Sequence, residues 1–263
     1  MLRRGDELVI GQPAHAWVSG QLARAWGNDA FPAPSPREPV CLATEQHDVG
    51  WADADLAPLL DDAGRPRSFL DVPRPAHLGI WRGAAHRLIA QSRYAALLVS
   101  LHGTSLYERW VDPDAHPPDV AEAIRDYLTG QRGLQAELAA GLDAEEVDRN
   151  RRLLLALDHL SLALCHGRDA EIADVPGAGG ALTLRVALAD TAPIAAGARD
   201  DRAVPGDVPA TGVTVAPWPF AAAAVVVGCE ARRLPGTFAD AYAAAAALEA
   251  APWVPLRWAL SPG

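Results

Sequence analysis

His47 and Asp48 stand side by side in the run Glu45-Gln46-His47-Asp48-Val49-Gly50-Trp51. An adjacent imidazole and carboxylate offer one nitrogen and one oxygen donor to the same small volume, which suits a divalent metal of mixed ligand preference. Three more ligand-type residues, His15, His102 and Asp158, fall on apolar helical stripes elsewhere. His15 shares its face with Val18, Ser19, Leu22 and Trp26, and His102 with Leu98, Val99 and Leu106, so both point inward. Asp158 shares its face with Leu154, Leu155, Leu162 and Cys165. An ionised carboxylate among leucines is costly unless it is paired or metal-bound. Each residue alone has an ordinary reading: a core histidine bonded to a carbonyl, a turn aspartate before a glycine, a rim salt bridge. Together they need a common solution, and one metal site supplies it.

The elements that must position these residues read mostly as helices. Pro13 to Trp26 is helical and stops at Gly27-Asn28; Val40 to Val49 is a short helix ending near Gly50 and carrying the His-Asp pair. Ala52 to Pro75 is polar and Pro-rich, a long loop over the surface or the site. Ile80 to Trp110 is a long helix with one break around Ser100 to Gly103, followed by Pro118 to Ala140 and Leu142 to Cys165, the last capped by Asp143 with Glu146. After Gly177 to Gly180 come β-like runs at Thr183 to Leu188, Gly212 to Ala216, Ala222 to Cys229 and Val254 to Leu260, with an Ala-rich helix over Thr237 to Ala250. The expected fold class is α+β. A mainly helical domain over residues 1–175 is followed by a smaller antiparallel β lobe over residues 176–263, packed on it as one globule.

The order His15, His47-Asp48, His102, Asp158 resembles the HD-domain superfamily of metal-dependent phosphohydrolases, over roughly Gln12 to His166, and His-Asp-Val-Gly is similar to the His-Asp-Ile-Gly of its cyclic-dinucleotide branch. More narrowly, Gln12 to Ala16, Ala23 to Gly27, His47 to Trp51 and Ser100 to His102 are similar to a bacterial family of unknown function. The resemblance implies an HD-like helical bundle. It implies that His15, His47, Asp48 and Asp158 hold a first metal, that Asp48 bridges to a second, and that His102 binds the second. It implies one or two divalent ions (Fe, Mn, Zn or Mg), with Asp48 also orienting the nucleophile. The branch's lysine after the tetrapeptide is Trp51 here and its Gly-Tyr-Pro triplet is absent, so cyclic-dinucleotide hydrolysis is not supported. Some HD-fold proteins with a similar ligand pattern carry a binuclear iron site and are oxygenases.

The leading expectation is a metal-dependent hydrolase of a phosphate ester, with a non-haem diiron oxygenase and a non-catalytic binding module as the other readings. Candidate cations for a substrate anion are Arg24, Arg82, Arg109, Arg151 and Arg152, of which Arg24 and Arg109 are carried forward as substrate-binding with Trp51; Trp218 and Phe220 could wall an apolar part of the pocket. Among the remaining histidines, His77 could fold over the site. His86 lies about 24 Å from His102 along a continuous helix, His159 points away from Asp158, and His116 and His166 look like loop or surface residues.

Composition bounds these readings. The chain has 263 residues, 50% hydrophobic and 21% charged, an ordinary globular balance. A net charge of −10 and a pI of about 5.2 argue against nonspecific nucleic-acid binding. Cys41, Cys165 and Cys229 form no CxxC pair, and neither Cys41 nor Cys165 sits in a nucleophile motif. There is no GxSxG elbow, Walker A loop or GxGxxG fingerprint. No apolar stretch follows the N-terminus, and the longest apolar run, Phe220 to Cys229, is roughly ten residues against the ~20 that span a bilayer. The expectation is a cytoplasmic protein acting on a small molecule, with no membrane partner, whose β lobe either lids the site or mediates a homodimer.

Overall fold

The structure is a computed structural model and describes residues 1–192, 198–200, 204–205 and 208–263. Two short strands, β1 (Leu2–Arg4) and β2 (Leu8–Ile10), open the chain. Eight helices follow: α1 (Gln12–Ala25), α2 (Arg37–Glu45), α3 (Ala52–Leu56), α4 (Arg74–Ala84), α5 (His86–Ile89), α6 (Arg93–Trp110), α7 (Pro118–Leu138) and α8 (Ala144–His166). The chain then runs through β3 (Ala170–Gly177), β4 (Gly180–Ala192), β5 (Arg199–Asp200), β6 (Ala210–Ala216), β7 (Val225–Arg233), α9 (Ala241–Ala250) and β8 (Trp253–Pro262).

One eight-stranded sheet has the order β1-β2-β7-β8-β6-β4-β3, with β5 paired beside β7. It curls into a half-barrel, and about 50% of the chain is helical. Most neighbours are antiparallel, but β6 and β8 run parallel, as do β5 and β7. Local sequence explains the strands. In β4, buried Leu184 and Val186 alternate with outward Thr183 and Arg185, the pattern of a strand covered on one face. The run Val225 to Cys229 in β7 is buried at every position, as expected of a strand covered on both sides.

These observations correct the expected mainly helical, HD-like bundle with a smaller C-terminal antiparallel β lobe. The fold is α+β, but its sheet is mixed. It includes β1 and β2 from the start of the chain: β2 pairs with β7 through Leu8–Arg233 and Val9–Arg232. Helices α1 and α8 lie on the sheet and share one core with it, in which Leu22, Leu157 and Leu164 meet Val213, Val227 and Trp258. A second core joins α2, α4, α6 and α7 through Val40, Trp81, Leu98 and Ile124, and Leu154 of α8 belongs to it. α8 is therefore covered on both flanks, which accounts for its run of buried leucines.

Helix boundaries differ where capping decides. The long helix expected over Ile80 to Trp110 is three helices, broken before Ser92 and not at Ser100 to Gly103. The Ser92 hydroxyl accepts from the Ala95 amide (3.2 Å) and starts α6 there. Asp143 caps α8 by accepting from the Glu145 and Glu146 amides, and Gly167, in the left-handed region at φ 69°, ends it. The Pro-rich stretch expected as a loop contains α3 and the first residues of α4. Among the described residues, no helix is long and apolar enough to cross a membrane.

Candidate metal centre

Four separate segments bring the five candidate ligands together. His15 lies one turn into α1, His102 in the middle of α6 and Asp158 in the middle of α8. His47 and Asp48 are not on the end of a helix, as expected, but in the turn that leaves α2. Asp48 has φ −101° and ψ 19°, and it precedes a 3-10 turn at Val49–Trp51. Consecutive residues of a regular helix diverge by ~100°. This irregular backbone instead lets both side chains face the same volume. Gly50 is required next: a Cβ there would stand 2.5 Å from the Ile80 carbonyl oxygen, so glycine lets α4 approach closely.

All five side chains are buried. His15 Nε2 lies 2.7 Å from Asp48 Oδ2 and 3.8 Å from Asp158 Oδ1. His47 Nε2 lies 3.3 Å from Asp158 Oδ1 and 3.6 Å from Asp48 Oδ2, and His102 Nε2 lies 3.7 Å from Asp158 Oδ2. One atom each from His15, His47 and Asp48 falls within 4.8 Å of the others, and the same holds for His47, His102 and Asp158. His47 thus belongs to both triplets, and His102 shares it and Asp158 with the rest.

Outer hydrogen bonds fix how the imidazoles present themselves. His47 Nδ1 faces the Thr44 carbonyl oxygen at 2.8 Å, an acceptor only, so Nδ1 donates and Nε2 is the nitrogen turned to the cluster. His15 Nδ1 lies 2.9 Å from Ser161 Oγ, whose hydroxyl donates to the Asp158 carbonyl oxygen, also at 2.9 Å. Ser161 therefore accepts from His15 Nδ1, which turns His15 Nε2 toward Asp48. Bonds of this kind from the outer nitrogen are what orient metal-binding histidines.

The charges strain against burial. Burial pushes the Asp158 carboxyl up, but the surrounding histidines, His47 foremost, outweigh it and hold the group well below the usual carboxylate range. Asp48 is likewise lowered, by His47 and His15 against burial. Burial disfavours a charged His47, yet Asp48 and Asp158 raise it to about 9. His102 is lowered to about 4 by burial and by His47. Two buried carboxylates thus draw a proton onto His47. Even so, His47 Nε2, the nitrogen turned to the cluster, has no partner with hydrogen-bond geometry. A cation beside it would satisfy what protons alone leave unsatisfied there, and the nitrogen and oxygen donor set fits a divalent ion. The buried His15, His47, Asp48 and Asp158 groups can hold a metal ion.

Four members of the cluster, His15, Asp48, His102 and Asp158, line a cavity of about 500 Å³ together with Trp51, Phe69, Trp81, Tyr107 and Trp110; His47 does not line it. Trp51 is where the sequence reading put it. Neither Arg24 nor Arg109 lines this cavity: Arg24 pairs with Glu45 at 2.5 Å, and Arg109 stacks 5.4 Å from the Trp110 ring beside a smaller neighbouring pocket. Arg151 and Arg152 are paired with Asp148 and Asp174, Arg82 bonds the Ala123 carbonyl oxygen, and His86 is exposed. Trp218 and Phe220 belong to the sheet core and not to the cavity. His77 does fold over the site, and His159 and His166, expected elsewhere, line it too.

Sequence reading missed Arg74, Arg168 and Gln12, all on the cavity wall. Arg74 sits between Pro73 and Pro75 in a stretch that reads as loop, so no periodicity assigns it a face. The Gln12 side-chain oxygen is buried without a partner.

A family model described as a protein of unknown function (DUF3891) matches residues 2–236. Neither a curated protein nor a solved structure matches the chain.

Proposed function

Because the chain belongs to the DUF3891 family, whose description gives no activity, we propose from the site alone that it is a metal-dependent hydrolase of a small phosphate ester. The observation that carries this reading is the convergence of three histidines and two aspartates, of which His15, Asp48, His102 and Asp158 line an aromatic-walled cavity and His47 completes the cluster behind them. His15, His47, Asp48 and Asp158 would hold a first ion, and His102, with His47 and Asp158, a second where two are bound. Iron, manganese, zinc and magnesium are the candidates. Such an ion lowers the pKa of bound water and polarises a phosphoryl oxygen.

The chain's own groups do the rest. Asp48 accepts a hydrogen bond from the attacking water and fixes its direction. Ser161 and Thr44 hold His15 and His47 through their outer nitrogens, so the inner nitrogens do not turn away. Arg74 and Arg168 place positive charge on the cavity wall, where a substrate anion enters. The tryptophans exclude water and cover the apolar part of the ester.

The aromatic walls also favour a second reading, a non-haem diiron oxygenase acting on a small organic substrate. A purely structural polar core is disfavoured by the unpartnered His47 Nε2, because a buried network without metal is stable only when every member is satisfied. The deciding experiment is elemental analysis of protein purified without a metal-affinity tag, alongside the His47→Ala/Asp48→Ala double variant. Near-stoichiometric metal in the wild type that is lost in the variant, with phosphatase activity that chelation abolishes, supports the hydrolase. Iron with visible absorption and no phosphatase activity supports the oxygenase. No metal in either protein, and none on reconstitution, overturns both.

A further inference from the structure

A second feature of the cavity lies away from the histidine and aspartate cluster. The Trp81 indole N–H donates to His77 Nε2 at 3.3 Å. With Nε2 accepting, a neutral His77 carries its hydrogen on Nδ1, and Nδ1 faces the Tyr107 oxygen at 2.5 Å. Burial, aided by Arg74, lowers His77 to about 4, so the ring is neutral around pH 7. Tyr107 therefore accepts from His77 and keeps its own O–H to give elsewhere. Burial pushes that phenol up to about 12, so the hydrogen stays on it.

Arg74 stands over the same ring, its guanidinium 5.7 Å from the Tyr107 centroid. Proline on either side fixes the backbone from which it projects, at the first residue of α4. It has no carboxylate partner among the described residues, unlike Arg24, Arg87, Arg151 and Arg152, and its Nε is buried without a hydrogen bond. A half-buried guanidinium on a cavity wall, next to a phenol with a hydrogen to give, is a donor set for an oxyanion. Trp81 neighbours both the pair's His77 and the cluster's His102, its ring 6.2 Å from the first and 5.7 Å from the second.

We propose that Tyr107 and Arg74 form an oxyanion anchor distinct from the metal cluster, and that the substrate is a flat, apolar-bodied molecule carrying a second phosphate or carboxylate at the end remote from the reacting group. Trp81 and His77 are positioning residues that hold the phenol in its donating orientation. The aromatic body lies against Trp51, Trp81 and Trp110, with one charged end at the cluster and the other at the anchor. The anchor itself needs neither the metal nor hydrolysis; the placing of the other charged end at the cluster rests on the reading of the cavity as a metal-dependent substrate site.

The anchor is tested on protein stripped with EDTA, in which the two carboxylates of the cluster repel an anion and leave the cavity-wall cations, the anchor or Arg168, as its place; anion binding that the anchor variants leave unchanged would assign it to Arg168 and overturn the proposal. Phenyl phosphate, benzoate and the neutral benzyl alcohol are titrated by tryptophan fluorescence into the wild type and into Tyr107→Phe, Arg74→Gln and His77→Phe. In the wild type both anions, or one of them, bind at least about tenfold more tightly than the alcohol, as charge-assisted bonds require. Each variant loses about tenfold for the anion and leaves the alcohol unchanged, a selectivity that a merely structural role would not alter. Loss for both anions defines a general oxyanion anchor; loss for phenyl phosphate alone restricts it to phosphate. The proposal is overturned if the wild type does not prefer either anion or binds no probe at millimolar concentration. It is equally overturned if the variants weaken alcohol and anions alike. Because no metal is present, failure here leaves the hydrolase reading untouched, and failure of the metal analysis leaves the anchor untouched.

Discussion

Asp158 illustrates how much one buried charge can decide. It faces His15, His47 and His102 from the middle of a leucine-rich helix. Replacing it by asparagine keeps the volume and removes the charge that holds a protonated His47. Breaking a buried ion pair from one side costs about 3–5 kcal/mol, so Asp158→Asn in metal-free protein should lose stability of that order in urea denaturation. A loss under about 1 kcal/mol, within the range of exposed pairs, would mean that water reaches the cluster and shields it. The same groups set a pH dependence. His102 and His77, lowered to about 4 from an ordinary 6.5, stabilise fully above 6.5 and cease to as pH falls toward 4. Asp48 and Asp158, also lowered, lose their contribution further into acid. His47, raised to about 9, contributes fully below 6.5 and loses its contribution as pH rises through 9. Melting of the metal-free protein should therefore peak near pH 6.5, and His47→Gln should remove the alkaline limb and also weaken the acid one, because His47 helps hold Asp48, Asp158 and His102 low. A wild-type curve that keeps rising from pH 7 to 9 would refute the charged His47. His15, His102 and Asp158 were legible in the sequence because a polar side chain on an apolar stripe is conspicuous, and His47 and Asp48 because they stand side by side. Arg74 and Tyr107 were not, because an arginine between prolines and a tyrosine on a buried stripe each have an ordinary reading.

At the scale of elements, the site depends on how closely α4 approaches the turn after α2. Gly50 permits that approach, and α4 carries Arg74, His77 and Trp81 over the cavity. Gly50→Ala would drive a methyl group into the Ile80 carbonyl, so a destabilisation of about 1–3 kcal/mol is expected, with weakened binding of any cavity ligand. Gly130→Ala is the matched comparison: it lies in α7 with nothing within 4 Å of the added carbon. There alanine should stabilise by about 0.5–1 kcal/mol through helix preference alone. If both variants melt alike, the close approach of α4 is not what Gly50 provides. Long amphipathic helices such as α1, α7 and α8 were readable within a few residues, because their pattern repeats over several turns. The division of Ile80 to Trp110 was not, since it turns on one serine cap. β3 was missed because a bulge between Ile172 and Val175 breaks its alternation.

For the molecule as a whole, the sheet unites the two ends of the chain. β1 and β2 are three residues each, too short to announce themselves by alternation, and they are placed only by pairing with β7. This is why a helical domain and a β lobe seemed separable along the sequence. α1 and α8, which carry His15 and Asp158, pack on the same sheet. A fragment ending at Gly167 would expose that apolar face and is expected to lack a cooperative melting transition, whereas the full chain should unfold in one. Circular dichroism melts of both would check this, and a fragment that melts sharply would show that the helical part folds without the later strands.

The pairing of Leu8 with Arg233 also orders events in time. During synthesis the first strands leave the ribosome long before their partner is made, and contacts so distant in sequence form late. His15 and the His47-Asp48 pair are translated early, yet α1 has no sheet to rest on until β7 emerges. An ion held by the cluster would therefore be seated last, once β7 has given α1 its support, and its choice would rest with the finished protein and the cellular pool around it.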